Sequence, residues 1–347
     1  MACAFIPAPL SLHALSPEAA RFCLDIERFC QKELQICLKG KSLLVAFSGG
    51  ADSLALLYAL HALSRRNGLQ LGLGILDHGL REESAEEVLM ARNFAEHTGI
   101  AFHTRRVDLP SLIKSNGLGL EENGRNERLR FLGDMRFEYD YDWIVTGHQL
   151  NDLAEDSLMR LIRGSVWPAQ AGMAAVLKAS AIVRPMLMTP RHAIEKFLVS
   201  LGASWIHDSM NLDSQFFRNR VRQTLLPLFL KENPAFLEHV ALRWRLARID
   251  DAFFKGIFAD FIPPLDKDGV FLERRVLAAM EPAVRLRLFK AVLDSLGVGQ
   301  ARTDTLLRLH AVWENGEGGK EMRFPGFKRA CITNGGIRFF REAGSTR

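Results

Sequence analysis

The sequence predicts an α/β protein: a doubly wound parallel sheet, followed by a smaller helical domain and a small β cap. Three observations predict it. Between Lys41 and Arg163 short apolar runs alternate with longer stretches of helical spacing, the pattern of successive βα units. Within that region Leu43 to Leu60, LLVAFSGGADSLALLYAL, sets in series an apolar run, a glycine pair, an acid with two serines, and a second apolar run. That series reads as strand, tight turn and helix. Beyond Arg222 the alternation stops: helical spacing extends to Trp313, and short β-type runs around glycines follow Gly316. The chain thus divides into a helical extension over 1–40, the α/β domain over 41–217, a helical domain over 218–318 and the cap over 319–347.

Each element has a local reason. Ser16-Pro17-Glu18 is a helix start, with Ser16 at the cap and Pro17 at the first position, and it predicts a helix over 17–39. Leu43 to Phe47 is too short for a helix and lies between Lys-Ser and Ser-Gly-Gly, so it predicts a buried strand. Asp52 and Ser53 open the helix that carries Leu54, Leu56, Leu57 and Leu60. Strands follow at Gln70 to Asp77, Ala101 to Val107 and Trp143 to Thr146, with helices at Glu82 to His97, within Glu121 to Tyr139, and from Asn151 to Arg163. Later, Pro234 to Phe258, Leu272 to Met280, Pro282 to Leu296 and Thr303 to Trp313 show helical spacing. Glu321 to Phe324, Lys328 to Thr333 and Gly336 to Phe340 read as the strands of the cap.

A strand, a Gly-Gly turn and a helix N-terminus bring unpaired backbone N–H groups and the positive end of a dipole to one spot, which is an anion-binding geometry. Ser48, Gly49, Gly50, Ala51, Asp52 and Ser53 form that loop. Gly40-Lys41-Ser42 imitates the end of a Walker loop but fails, because position 35 is Gln35 and the stretch precedes a strand. The SGGADS loop has no lysine, so phosphate charge would fall to backbone N–H groups, serine hydroxyls and a metal held in part by Asp52. An ordinary strand-to-helix turn also uses glycines for positive φ, and the six residues alone leave that reading open.

In a parallel sheet ligands gather at the carboxyl ends of the strands. There the sequence places Asp77-His78-Gly79-Leu80-Arg81, and then Thr146-Gly147-His148 ahead of a helix bearing Asp152, Glu155, Asp156, Met159 and Arg163 on one side. Leu153, Leu158, Leu161 and Ile162 lie mostly around the other side. Glu121, Arg125 and Arg128 share a helical face, which a solvated salt-bridged surface would also explain. Trp205 to Arg222 combines turn formers with clustered arginine, a basic linker suited to phosphate contacts.

Lys plus Arg number 45 against 40 Asp plus Glu, a formal charge of +5 that is compatible with nucleic acid without requiring it. No stretch reaches the ~18–20 apolar residues needed to span a bilayer, and no Lys or Arg precedes Arg21 as a secretory signal would need. The expected location is cytoplasmic, with no membrane partner. Four of the 5 cysteines precede Lys39; Cys23, Cys30 and Cys37 are seven apart and read as small apolar residues on one packed helix face.

The six-residue loop resembles the PP-loop of ATP pyrophosphatases, whose adenine nucleotide alpha-hydrolase-like fold it therefore implies. SGGADS, LDHGLR, LEENGRNER, TGHQLNDLAEDSLMRLIRG and the stretch from Arg184 to Pro227, in that order, resemble the tRNA(Ile)-lysidine synthetases over about residues 41 to 228. The resemblance implies two-step chemistry with ATP and Mg²⁺. The C2 oxygen of the cytidine at the first anticodon position of tRNA(Ile) with a CAU anticodon attacks the α-phosphate, and the ε-amine of free L-lysine then displaces AMP. By motif position it implies Asp52, His148, Asp152, Glu155 and Arg125 as catalytic residues. Ser48 to Ser53 with Asp77 and His78 would bind ATP, Asp52 would hold Mg²⁺, and Asp152 and Glu155 would bind lysine. Arg128, Arg163, Arg218, Arg220 and Arg222 would contact tRNA, with Arg243, Arg245, Arg248, Arg285 and Arg287 giving the later helices a basic side. Neutralising lysine at pH 7 costs roughly 4 to 5 kcal/mol without a base and a fitted pocket.

The chain departs from the family pattern at Gln149, Asn151, Leu153, Asp156 and Leu129, which bears on the geometry of the lysine pocket. A PP-loop tRNA sulfur transferase would need cysteines near the site, and the sequence offers only Cys331 after Cys37. A small-molecule amide-forming ligase would not need the basic linker, and a non-catalytic RNA-binding protein would not need the acids. A homodimer stays open.

Overall fold

The structure is a computed structural model that describes residues 11–78, 82–116, 119–206, 217–259, 261–262 and 269–342. The expectations at Gly79 to Arg81 and at His207 to Phe216 lie outside these residues. The chain forms two compact units, one of residues 1–159 with 172–241 and the other of 160–171 with 242–347. Residues 218–241 fall in the first unit, and the cap strands fall in the second with the later helices.

The first unit begins with α1 (Pro17–Arg28), capped as its sequence predicts by Ser16, whose hydroxyl accepts from the Ala19 N–H at 3.3 Å. A π-turn over Phe29–Glu33 ends the helix, and Gln35 takes a positive φ. The predicted helix to residue 39 is therefore too long. Cys23 and Cys30 are buried on it, whereas Cys37 lies past its end and is exposed, so the three cysteines do not share a packed face.

Then β1 (Ser42–Ala46), α2 (Ala51–Asn67), β2 (Gln70–Asp77), α3 (Glu82–Thr98), β3 (Ala101–Arg106), α4 (Leu109–Asn116), α5 (Leu120–Glu138), β4 (Trp143–Val145) and α6 (Leu150–Ile162) follow. Two short strands come next, β5 (Val176–Leu177) and β6 (Ile182–Val183), and then α7 (Arg191–Ser200). The strand order is β3-β2-β1-β4-β6-β5, with every pair parallel except the edge pair β5–β6. Leu44 packs with Phe131 and Leu132 of α5 in one buried cluster. Alternation along the strand turns Leu43 and Val45, both fully buried, to the opposite face. Helix α2 buries ten residues, from Ser53 to Leu63, around most of its circumference, as an interior helix does. Because β1 sits between β2 and β4 in parallel register, the segments after all three strands emerge at the same edge of the sheet. The strands β5 and β6 and the helices α4 and α7 had no counterpart in the sequence reading.

The unit closes with α8 (Phe217–Arg220), a π-turn over Val221–Leu225 and α9 (Leu226–Glu232). Helix α10 (Phe236–Ala259) carries the chain into the second unit, whose further elements are β7 (Val270–Glu273), α11 (Arg274–Ala278), α12 (Pro282–Ser295), α13 (Thr303–Glu314), β8 (Glu321–Phe324), β9 (Lys328–Thr333) and β10 (Gly336–Arg341). The four strands form an antiparallel sheet, β7-β10-β9-β8. Its core joins Leu288, Phe289, Val292 and Leu309 to Ile337 and Phe339. The stretch read as a helix from Leu272 starts as a strand, because Val270 and Leu272 alternate inward against β10. Arg285 is not on a basic surface: it is buried, donates to the Met280 carbonyl at 2.9 Å and lies over the Trp313 ring at 4.2 Å. Among the described residues no helix is long and apolar enough to cross a membrane.

Candidate active site

The loop after β1 is held by its own serines. The Ser53 hydroxyl accepts from the Ser48 N–H at 3.2 Å, lies 3.3 Å from the Ser48 hydroxyl and donates to the Gly50 carbonyl at 3.0 Å. Gly49 takes φ +72, and a Cβ there would sit 2.9 Å from Glu87 Cγ. Gly50 is the N-cap of α2 with no side-chain cap, so the first N–H groups of the helix are presented to a ligand. A Cβ on Gly147 would come within 2.9 Å of the Asp52 backbone, so only glycine lets the segment after β4 approach the loop this closely.

Asp52 stands in the first turn of α2 with Oδ1 buried and without a hydrogen-bond partner. Burial pushes its carboxyl up to about 7; Asp152 adds to the shift, and Arg191 and Arg222 oppose it. The same fields bring Asp52, Asp152, Arg191 and Arg222 into one electrostatic neighbourhood.

His148 is held by Thr146, whose hydroxyl lies 2.8 Å from Nδ1. Burial drives its pKa down to about 4; Asp152 resists the shift, and Arg184, Arg218 and Arg125 reinforce it. His148 is therefore a neutral imidazole at physiological pH. Arg184 is buried just after β6 and reaches this site from a strand of two residues, too short to show in the sequence.

Asp152 and Glu155 are buried on α6 and are jointly held by two guanidinium groups. Arg218 donates to Asp152 Oδ1 at 2.8 Å and to Glu155 Oε2 at 3.0 Å. Arg222 donates to Asp152 Oδ1 at 3.1 Å and to Glu155 Oε1 and Oε2 at 2.6 and 3.0 Å. Two acids and two arginines form a charge-balanced quartet, which the linker reading of Arg218 and Arg222 did not foresee. Arg220, between them on α8, is exposed and lies over the Phe217 ring at 5.7 Å. The other free oxygen of Asp152 accepts from the Gln149 N–H at 3.0 Å, and Gln149 Oε1 accepts from Asn151 at 2.7 Å. Two of the departures from the family pattern thus build the turn into α6.

At the end of β2, Asp77 lies 3.8 Å from Arg106. His78 accepts at Nε2 from Arg128 at 3.3 Å, which leaves its buried Nδ1 to carry the proton. Burial and Arg128 both lower the His78 pKa. Arg125 and Arg128 are exposed on α5, and Arg125 reaches the site through its field on His148. Arg163 lies just past α6, exposed, in the second unit. Helix α6 departs from the expected apolar face at its end, where Leu161 and Ile162 are 49% and 56% exposed.

A parallel sheet with a serine-latched glycine loop at a helix N-terminus, an acid in its first turn and an acid–imidazole cluster facing it defines a PP-loop ATP-utilising enzyme. The family model for the PP-loop domain matches residues 13–229. Compared with curated proteins, the chain is 42% identical over 316 residues to the tRNA(Ile)-lysidine synthase of Nitratidesulfovibrio vulgaris, covering 85% of this chain and 90% of that protein. It is 34% identical over 221 residues to that of Thermosipho africanus, covering 63% of this chain and 51% of the relative, so it spans about half of that longer protein. Among solved structures the U34-tRNA thiolase NcsA from Methanococcus maripaludis aligns with TM-score 0.56 at 18% identity, over 67% of this chain and 80% of the other, a likeness of fold. The chain belongs to the tRNA(Ile)-lysidine synthase family of PP-loop proteins.

Proposed function

We propose that this chain joins L-lysine to C2 of the first anticodon cytidine of tRNA(Ile) bearing CAU, splitting ATP into AMP and pyrophosphate. The observation that carries the reading is the pair of buried acids, Asp152 and Glu155, set beside His148 within the electrostatic reach of the loop acid Asp52. A site that only split ATP would need the loop but not a second acidic centre; a site that must also accept an ammonium and lose its proton needs both.

The steps follow from charge. In the first, the N–H groups at the start of α2 and the Ser48 hydroxyl stabilise the charge that builds on the departing pyrophosphate, while the cytidine oxygen bonds to the α-phosphorus. In the second, the amine bonds to C2, the C2–O bond to AMP breaks, and the ammonium proton leaves to a carboxylate. His148 stands beside the acids as a neutral imidazole held by Thr146 and acts as a hydrogen-bonding group. Asp152 and Glu155 then carry both the ammonium and the proton, once the arginine quartet loosens to admit lysine. Arg125 meets the nucleotide phosphate or the activated base.

The lone buried oxygen of Asp52 fits a divalent cation. Among the described residues no three of His, Cys, Asp and Glu cluster as a metal site, so its other ligands would come from ATP. Mg²⁺ held there would supply charge neutralisation to the pyrophosphate leaving group. Arg128, Arg163 and Arg220 are the candidates for tRNA phosphates, with Arg243 and Arg248 of the second unit. The cytoplasm is the setting this chemistry fits. The thiols of Cys23 and Cys30 are buried in α1 and its π-turn and pushed up to about 12, which makes these two poor sulfur carriers.

The test is incorporation of radiolabelled lysine into CAU-bearing tRNA(Ile) with ATP and Mg²⁺, comparing the wild type with Asp52→Ala and Glu155→Ala. Label that both substitutions abolish is expected. AMP and pyrophosphate formed without label would sink lysine as the nucleophile.

A further inference from the structure

The antiparallel sheet of the second unit has two unlike faces. One carries Val270, Leu272, Ala330, Ile332, Ile337 and Phe339 into the core. Alternation turns their neighbours to the other face, where Phe271, Arg338, Cys331 and Glu321 form one row across the four strands, each paired with the next. A second row sets Phe340 beside Arg329 and Arg329 beside Arg323. Glu321 and Arg323 are exposed and the others of the two rows are half-buried.

Each row begins with a phenylalanine and continues with an arginine. The Arg338 guanidinium is set over the Phe271 ring at 5.3 Å, an arginine backed by an aromatic. Gly269 lies against Phe340, where a Cβ would come within 2.8 Å of the Phe340 Cβ, so that flank of the ring has no side chain beside it. Arg323 and Arg329 stand directly opposite on β8 and β9, a like-charge pair that weakens a sheet. Glu321 and Glu342 hold Arg329, and a phosphate at the exposed Arg323 would turn the remaining repulsion into a bridge.

Ring faces interleaved with guanidinium groups suit a ligand that offers flat bases and phosphates together. A double helix hides its base faces, so only unpaired nucleotides use both kinds of position. A protein partner would need a continuous apolar centre, which the arginine between Phe271 and Phe340 interrupts. We propose that this face of the sheet binds an unpaired stretch of the tRNA, with bases stacked on Phe340 and on the Arg338–Phe271 pair and a phosphate at Arg323. That the RNA is a tRNA rests on the function reading above; the preference for unpaired RNA rests on the sheet alone.

Two measurements on the full chain test it. In the first, fluorescence anisotropy follows a single-stranded RNA oligonucleotide of mixed sequence and the same sequence annealed to its complement. Phe340→Ala combined with Arg338→Ala should weaken the single strand by about 10- to 100-fold, the size of lost base stacking, and the duplex much less. Phe340→Tyr should keep the affinity. In the second, lysine incorporation into CAU-bearing tRNA(Ile) should show the double variant raising the KM for tRNA with kcat unchanged. Unchanged single-strand affinity, or equal loss on the duplex, would overturn the assignment. A fall in kcat with KM unchanged would overturn it too, by reducing the face to a structural role. A wild type that labels no tRNA would overturn the function reading, while the first measurement would still decide whether the sheet binds unpaired RNA.

Discussion

The Nε of Arg222 donates to Oε1 of Glu155 at 2.6 Å, and Glu155 is 1% exposed. A carboxylate so far from water is paired by the two guanidinium groups that donate to it. Breaking a buried pair by removing one partner typically costs about 3–5 kcal/mol, because the other charge is left uncompensated. Arg218→Ala with Arg222→Ala should therefore destabilise the chain by about that amount in urea unfolding, and Glu155→Gln in that background should recover much of the loss. A loss below about 1 kcal/mol would mean that the quartet is not held as described.

Asp52 and His148 should give opposite pH signatures. Asp52 keeps its proton to about pH 7 in the folded chain but loses it near 3.8 when unfolded, so its contribution to stability falls as pH rises through that window, by roughly 4 kcal/mol at most. His148 takes a proton near 6.5 when unfolded and only near 4 when folded, so its contribution falls as pH drops through that window, by roughly 3 kcal/mol. The stability of Asp52→Asn relative to the wild type should grow with rising pH, and that of His148→Gln with falling pH. Denaturation midpoints between pH 4.5 and 8 check both signs.

The two loop glycines should not tolerate alanine alike. Gly49→Ala puts a side chain at φ +72 against Glu87 and Ile206, at 2.9 and 3.3 Å, and should cost about 1–2 kcal/mol. Gly50→Ala has φ −74 and its nearest neighbour at 3.8 Å, and should fold normally. Gly147→Ala, pressed on the Asp52 backbone and the Ser53 N–H, should displace the phosphate loop and raise the KM for ATP. Thermal unfolding and ATP titration separate these effects.

Binding of tRNA should weaken steeply with salt. Arg220→Ala and Arg163→Ala should each weaken it across all tRNAs and reduce the slope of log affinity against log salt by about one. Filter binding between 50 and 200 mM salt measures this; an unchanged slope would remove either residue from the phosphate contacts.

Much of the fold was legible because its signals are local. The Ser16 cap, the Gln70 to Asp77 strand and the three strands of the cap emerge at or near their expected bounds, each set by neighbours in sequence. The strands β5 and β6 were not, because two residues carry no periodicity; they exist through pairing with β4 and with each other. Arg184 was missed with them. Arg218 and Arg222 read as a basic linker suited to phosphate contacts, since nothing local shows that α8 and its π-turn lay both on two acids more than 60 residues earlier.

The sequence by itself determined the SGGADS loop, the strands whose carboxyl ends carry Asp52, His78 and His148, and the identity of the acids on α6. Turn chemistry, strand alternation and helical spacing are properties of adjacent residues and need no partner. Only the tertiary structure decided the charge states: Asp52 near 7, His148 near 4, and two carboxylates neutralised by two arginines. Those depend on burial and on the distance between groups far apart in the chain, and Coulomb energies and desolvation take their size from the folded arrangement alone.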